Sequence, residues 1–366
     1  MAAIVAEVEA LFGRDVGVAQ GAAERVARAL ERAPITAVVG LDRALRDGGL
    51  HRRLGRDFVE VRAYQVARLD RLERGQTAAL GVASLVRDGH AREAAVERLA
   101  GRRERLAVAF LINRVGDYVG AVGARAWAAL EDMLVPASAS HVVAALPLIE
   151  RMRGLARAGD ARERRLLAFF ESRDPRVVAA LWEGVRGGEP AVARGAARLL
   201  LARHPGAAEM QALYEAALGS KALPLRVWAA RAVADRRATP AAVAAAIAPR
   251  LGEDGAATVR VCGVEVAARL GDRAGLERAA FDRNGEVRHQ ARVQLASLGA
   301  ALDYRGLALA TLAGVGVRRD EAIGALATLS DFGRGEDRAA IARFVGDPRP
   351  RVAREAARTL AIVDRI

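Results

Sequence analysis

One cysteine, Cys262, stands among 366 residues. A lone cysteine excludes an internal disulfide and a thiolate metal site. Aromatic residues make up only 4% of the chain, while apolar residues reach 52%. The core must therefore be built from Ala, Val and Leu. Ala and Leu are strong helix formers, and the scarcity of Tyr, Phe, Trp and Thr removes the usual strand formers. Lysine is nearly absent, since Lys221 alone accompanies the arginines among 57 basic residues. Long apolar runs are absent too: no stretch of eighteen residues lacks charge, so no transmembrane helix is expected. The opening "MAAIVAEVEALFGRD" carries Glu7 and Glu9 and no basic segment, which argues against a signal peptide. Together with the unpaired cysteine, this predicts a cytoplasmic location.

Chemistry-bearing motifs are equally sparse. The five histidines, His51, His90, His141, His204 and His289, never fall within one helical turn of each other. No His-Glu dipeptide occurs, and a metal needs convergent ligands. Cys262 sits in "TVRVCGVEVAARL", an apolar helical context that predicts an inert core thiol. There is no Walker loop, dinucleotide fingerprint or nucleophile elbow. The reading assigns no catalytic, cofactor-binding or metal-binding residue. Two serine-containing stretches, "PASAS" at 136–140 and "LGSKALP" at 218–224, read as loops.

What the chain does contain is one sentence written many times. "DRNGEVRHQARVQLASLG" (282–299) and "DPRPRVAREAARTLAIVD" (347–364) share Asp, a turn residue, and then Val-x-x-x-Ala-x-x-x-Leu. Positions i, i+4 and i+8 form one stripe on a helix. The stripe occurs as Val192/Ala196/Leu200, Leu225/Ala229/Val233, Val259/Gly263/Ala267, Val287/Ala291/Leu295 and Val352/Ala356/Leu360, with a degenerate copy at Arg318/Ala322/Leu326. Upstream it continues as Val122/Ala126/Leu130, Ala91/Ala95/Leu99 and Val61/Gln65/Leu69, and a poor copy lies at Ala161/Arg165/Phe169. Recurrence at about 30–34 residues marks a stacked helix-hairpin array. A single hairpin cannot bury its apolar face alone, so each unit needs the same stripe to meet the next. The small mid-stripe residue lets helices approach at the short end of about 8–10 Å.

These units resemble HEAT repeats, in particular the short bacterial kind also found in phycobilisome-lyase-type proteins. The segments that carry the resemblance are "DPRPRVAREAARTL", "DRNGEVRHQARVQLASLG", "DGHAREAAVERLAG" and "EPAVARGAARLL". The resemblance implies an all-α fold, an α-solenoid of stacked helix hairpins forming a superhelical arc over 56–366. Residues 1–55 are helical in composition but off-register, and are expected to form an N-terminal capping region. An irregularity is expected at 131–172, where the stripe spacing stretches. In HEAT-like arrays a repeated Asp and Arg form a ladder between units. The matching residues here are Arg62, Arg92, Arg162, Arg226, Arg260, Arg288 and Arg319, with Asp57, Asp88, Asp117, Asp254, Asp282 and Asp347. The lack of His-Glu pairs sets the chain apart from deoxyhypusine hydroxylase, a HEAT-type di-iron enzyme.

The function expected of such a chain is a non-catalytic scaffold or adaptor that binds another macromolecule over an extended surface. Net charge is +13, of which residues 1–150 carry +2, residues 151–250 carry +9 and residues 251–366 carry +2. The candidate partner-binding residues are Arg151, Arg153, Arg157, Arg162, Arg164, Arg165, Arg194, Arg198, Arg226 and Arg231, which suit a protein partner with an acidic surface. Trp127, Trp182 and Trp228 are candidate aromatic anchors, with core packing as the plainer role. Two other readings stay open. One is nucleic-acid binding, as in HEAT-like DNA glycosylases for alkylated bases, which use Trp, an acid and basic residues on the concave face; here Trp127 and Glu131 stand four apart with Asp132 beside them. The other is a lyase-type enzyme subunit. The arginine excess is also what a GC-rich bacterial genome would produce.

Overall fold

A computed structural model describes residues 2–46, 61–153, 160–187 and 189–365. Among these residues all regular structure is helical and there is no strand. The all-α expectation is met, as are the stacked hairpins. The chain divides into two compact units, Met1–Pro205 and Gly206–Ile366. The expected boundary near residue 55 falls within 47–60, outside the described residues.

The second unit is the more regular. Its hairpins pair Ala207–Leu218 with Leu223–Ala234, Ala241–Glu253 with Ala257–Leu270, Arg273–Ala279 with Gly285–Ser297, Tyr304–Ala313 with Arg319–Phe332, and Arg338–Ala342 with Pro350–Val363. The second helix of each pair carries the stripe. Leu225, Ala229, Val233, Val259, Ala267, Val287, Ala291 and Leu295 are all buried. Leu276 and Ala280 of the preceding helix close over Val287, Ala291 and Leu295 in one core cluster. Gly263 shows why the mid-stripe residue is small: a Cβ there would lie 3.1 Å from Leu251 Cβ and 3.3 Å from the Gly252 amide nitrogen. Local signals end the helices where expected. Gly271 takes a left-handed φ of 68° as it closes Ala257–Leu270. Asn284 caps Gly285–Ser297 by accepting from the Glu286 and Val287 amides.

The first unit begins with the hairpin Ala2–Leu11 and Val16–Arg32. It docks on the first repeat through polar ties as well as apolar packing. Gln20 Nε2 donates to the Arg74 carbonyl, Gln65 Nε2 to the Phe12 carbonyl, and the Glu73 amide to Gln20 Oε1. Gly75 sits at that junction with φ 70°, and a Cβ would fall 2.6 Å from the Ala23 carbonyl oxygen. Regular hairpins follow, Gln76–Ala83 with Gly89–Ala100 and Arg105–Val115 with Gly120–Asp132. Their stripes, Ala91/Ala95/Leu99 and Val122/Ala126/Leu130, are fully buried.

The rhythm then breaks, within the expected span 131–172. "PASAS" is not a loop: Pro136–Ser138 is one 3-10 turn that runs into Ala139–Ala144, and a second short helix, Leu146–Arg153, follows. The poor copy of the stripe also fails. Ala161 and Arg165 of Asp160–Glu171 point to solvent, while Leu166, Phe169 and Phe170 are buried. Regular order returns with Pro175–Gly187 and Pro190–Ala202, whose Val192, Ala196 and Leu200 are buried again.

Candidate partner-binding groove

The repeated Asp and Arg form a ladder with a constant geometry. Arg92 lies just after the first stripe residue. Its Nε and Nη2 donate to the two carboxylate oxygens of Asp117, both at 3.0 Å, and its Nη1 donates to the Val86 and Arg87 carbonyls. Asp117 in turn accepts from the Val119 amide at 2.9 Å. One arginine thus ties its own inter-helix turn to the aspartate of the next hairpin. The same construction recurs in the second unit. Arg226 meets Asp254, the Ser220 carbonyl and the Lys221 carbonyl. Arg260 meets both oxygens of Asp282 at 2.7 and 2.8 Å and the Asp254 carbonyl at 2.7 Å. Arg62 pairs with Asp88 at 3.2 Å.

Beyond Arg260 the ladder leaves the aspartates that the sequence pattern offered. Arg288 donates to Asp331 at 3.0 Å, not to Asp347. Asp347 instead forms a bidentate pair with Arg349 of its own turn, which pulls its carboxyl down to about 2. Among the described residues Arg319 bonds only its neighbour Asp320. Arg162 reaches the Val115 carbonyl at 3.3 Å and no aspartate. Asp57 lies outside the described residues.

Burial makes the ladder electrostatically strict. The Arg92 and Asp117 side chains are both 0% exposed. Burial alone would raise the Asp117 carboxyl, but the Val119 amide and the Arg92 and Arg114 guanidiniums outweigh it and hold it below its ordinary value. Arg114 joins the same knot by donating to Asp117 at 2.8 Å and to Asp42 of the N-terminal helices. Burial pulls its guanidinium pKa down.

The sequence-predicted partner residues fall into distinct groups. Arg226 belongs to the ladder, so its charge is already committed to Asp254. Arg162 lies 5.6 Å over the Trp127 ring. Arg165 faces Glu131 at 3.3 Å in an exposed pair. Arg151, Arg164 and Arg231 are exposed and form no ion pair among the described residues. The Arg153 side chain and the whole of Arg157 lie outside the described residues. Arg194 and Arg198 stand one turn apart on the exposed face of Pro190–Ala202. Arg194 has no ion pair among the described residues, and Arg198 has only Glu150 at 3.8 Å, with the two side chains 68% and 46% exposed. The tryptophans are half-buried. Arg186 covers Trp182 at 5.1 Å, and Trp228 packs against Tyr214.

Sequence reasoning missed the groove beside Arg198. It has a volume of about 700 Å³ and lies between Leu146–Arg153, Asp160–Glu171 and Pro190–Ala202. Leu146, Ile149, Leu166, Leu167, Phe170 and Leu199 line it, with Gly195 and Ala202 keeping one wall low. On Asp160–Glu171 the lining positions 163, 166, 167 and 170 repeat at helical spacing, as do 195, 198, 199 and 202 opposite. Leu167 and Leu199 are only half-buried. Glu150, Glu163 and Arg198 supply the charged rim. The 163/166/167/170 stripe was the available signal, hidden because the repeat register pointed at 161/165/169 instead.

Other chemistry is not assembled. Among the described residues no group of three or more His, Cys, Asp or Glu could hold a metal ion. No described helix is long and apolar enough to cross a membrane. Cys262 is buried, and burial pushes its thiol pKa up.

No protein-family model matches the chain, and no curated protein matches it. Solved structures do. The crystal structure of Kap121p is similar at 12% identity with a TM-score of 0.33, covering 99% of this chain and 45% of that one. The karyopherin Kap121p bound to the extreme C-terminus of the protein phosphatase Cdc14p is similar at 12% identity and TM-score 0.32, covering 99% and 46%. The chain spans less than half the length of these structures.

Proposed function

We propose that this protein is a non-catalytic scaffold, an adaptor of the cytoplasm that presents a repeat surface to an acidic protein partner. The observation that carries the reading is the contrast between two sets of arginines. The ladder arginines Arg92 and Arg260 are buried and saturated by carboxylates and turn carbonyls. Arg194 and Arg198 are exposed and barely paired; Arg198 lines an open groove with Glu150 and Glu163, and Arg194 lies one turn back on the same helix. Free guanidiniums beside apolar surface suit recognition of carboxylates by bidentate pairing. The tryptophans are half-buried, with Arg162 over Trp127, Arg186 over Trp182 and Tyr214 beside Trp228, which leaves less ring on which a base could stack and favours protein over nucleic acid.

The test is capture from an extract of the native organism, with and without nuclease, on wild type and on the double variant R194E/R198E. The reading expects a small set of proteins retained after nuclease treatment and lost from the double variant. Retention that nuclease abolishes, with the steep salt dependence of phosphate contacts, would replace it with nucleic-acid binding.

A further inference from the structure

We infer that Glu150 is a resident competitor at the candidate site: its carboxylate holds the place on Arg198 that an incoming carboxylate takes, and an acidic partner displaces it on binding. The inference rests on the scaffold reading and adds how access to that surface is limited.

The contact joins two helices. Glu150 belongs to Leu146–Arg153 and Arg198 to Pro190–Ala202. Arg198 stands at the lip of the groove, with Arg194 one turn back on the same helix. Glu150 Oε1 lies 3.8 Å from Arg198 Nη1. The same oxygen rests against the backbone at Gly195, where a Cβ would meet it at 3.5 Å. Gly195 stands between Arg194 and Arg198 in the helix that presents both. A carboxylate of a partner must come to this stretch to pair with Arg198, and one is already there.

The contact is weak enough to yield. At 3.8 Å it is too long for a hydrogen bond. Both side chains are exposed, so water and salt screen the attraction. The ladder pairs differ in both respects. Arg92 and Arg260 each grip an aspartate through two hydrogen bonds, at 3.0 Å in the first and 2.7 and 2.8 Å in the second. Their guanidiniums are almost wholly buried. A ladder carboxylate is enclosed with its arginine, whereas Glu150 is open to solvent and exchanges for another carboxylate at little cost. The competitor also selects among partners. A lone carboxylate gains little over Glu150, but a partner that brings several also reaches Arg194, which has no ion pair among the described residues.

The experiment measures association rates on the full-length protein by stopped flow at low ionic strength. The probes are fluorescein-labelled decaglutamate and, separately, a partner captured from extract. Glu150→Gln should speed association about twofold to threefold, with the circular dichroism melt unchanged. The gain should shrink as salt is added. Glu163→Gln, at the other acid lining the groove, should change the rate less. In an Arg198→Ala background the gain from Glu150→Gln should vanish, because the competitor has nothing left to mask. The inference is overturned by no gain, by a gain that persists without Arg198, by an equal gain for Glu163→Gln, or by decaglutamate binding indifferent to Arg198→Ala. If a partner is captured through Arg194 and Arg198 but Glu150→Gln leaves its rate unchanged, the competitor falls and the scaffold reading survives. If decaglutamate shows the coupling of Glu150 to Arg198 but nothing nuclease-resistant is captured, the reverse holds.

Discussion

The second unit and the end of the first use the same residue type in opposite ways. From Leu223 to Asp331 the repeat keeps its period, and arginines after the stripe turn inward to Asp254, Asp282 and Asp331. Between Pro136 and Glu171 the period fails. Helices shorten and Asp160–Glu171 loses the stripe register, while Arg194 and Arg198 face outward from the regular helix Pro190–Ala202 that follows. The lesson is that position in the repeat decides what an arginine does. Directly after the first stripe residue, as at Arg92, Arg226 and Arg260, the guanidinium is saturated by the next hairpin and contributes cohesion. At 194 and 198 it faces solvent, beside the apolar surface that the slipped register of Asp160–Glu171 opens, and both are available to another molecule.

The comparison breaks most severely if a buried rung is cut. Arg92→Ala should cost about 3–5 kcal/mol, because it leaves the Asp117 carboxylate buried and half-paired. Urea unfolding measures this, and a loss under about 1 kcal/mol would mean that water reaches the rung. A smaller effect comes from the stripe. Ala291 is completely buried, so Ala291→Leu should overpack and cost about 1–3 kcal/mol, with Ala291→Ser costing less. An unchanged midpoint for the leucine variant would show that the two helix faces are not in close register.

Acid should loosen the rungs before it touches the lip. Burial would raise the Asp331 carboxyl, but hydrogen bonds from Arg292 and Arg288 hold it below its ordinary value. A carboxylate depressed in the folded state contributes stability that is complete above the unfolded value of about 3.9 and lost as pH falls through the folded one. Thermal midpoints should therefore fall below about pH 4, and the gap between wild type and Asp331→Asn should narrow over that range. A gap that stays constant to the lowest pH would detach Asp331 from the ladder. The smallest stability effect belongs to the lip: R194E/R198E should stay within about 0.5 kcal/mol of wild type. A larger fall would place these arginines among the structural ones.

Much of this was legible before any coordinates. Apart from Ala161, Arg165 and Arg318, the stripe residues from Ala91 to Val352 are buried as their spacing required, and Arg62, Arg92, Arg226 and Arg260 reach the aspartate of the next hairpin. These features repeat, and repetition separates them from chance. The groove does not repeat. It is made by three helices whose spacing obeys no period, so only the fold brings Leu146, Leu166 and Leu199 together. Arg226 marks the same boundary from the other side. By charge it belonged with Arg194 and Arg198, and only geometry shows that Asp254 already holds it. Arg288 likewise follows its stripe residue as the other rungs do, but its partner Asp331 lies at the end of a helix instead of in the expected turn.

The central claim, that ladder arginines hold the array while lip arginines hold a partner, is tested most directly by one kinetic comparison. The association rate of a captured partner is measured on wild type, R194E/R198E and R354E/R358E at fixed ionic strength. Arg354 and Arg358 are equally exposed and one turn apart, but they lie on the regular terminal helix Pro350–Val363. The account predicts a loss of about tenfold or more in association rate for R194E/R198E and no significant change for R354E/R358E. Equal losses from the two pairs would contradict it, because the charge would then act as a general background and not as a site.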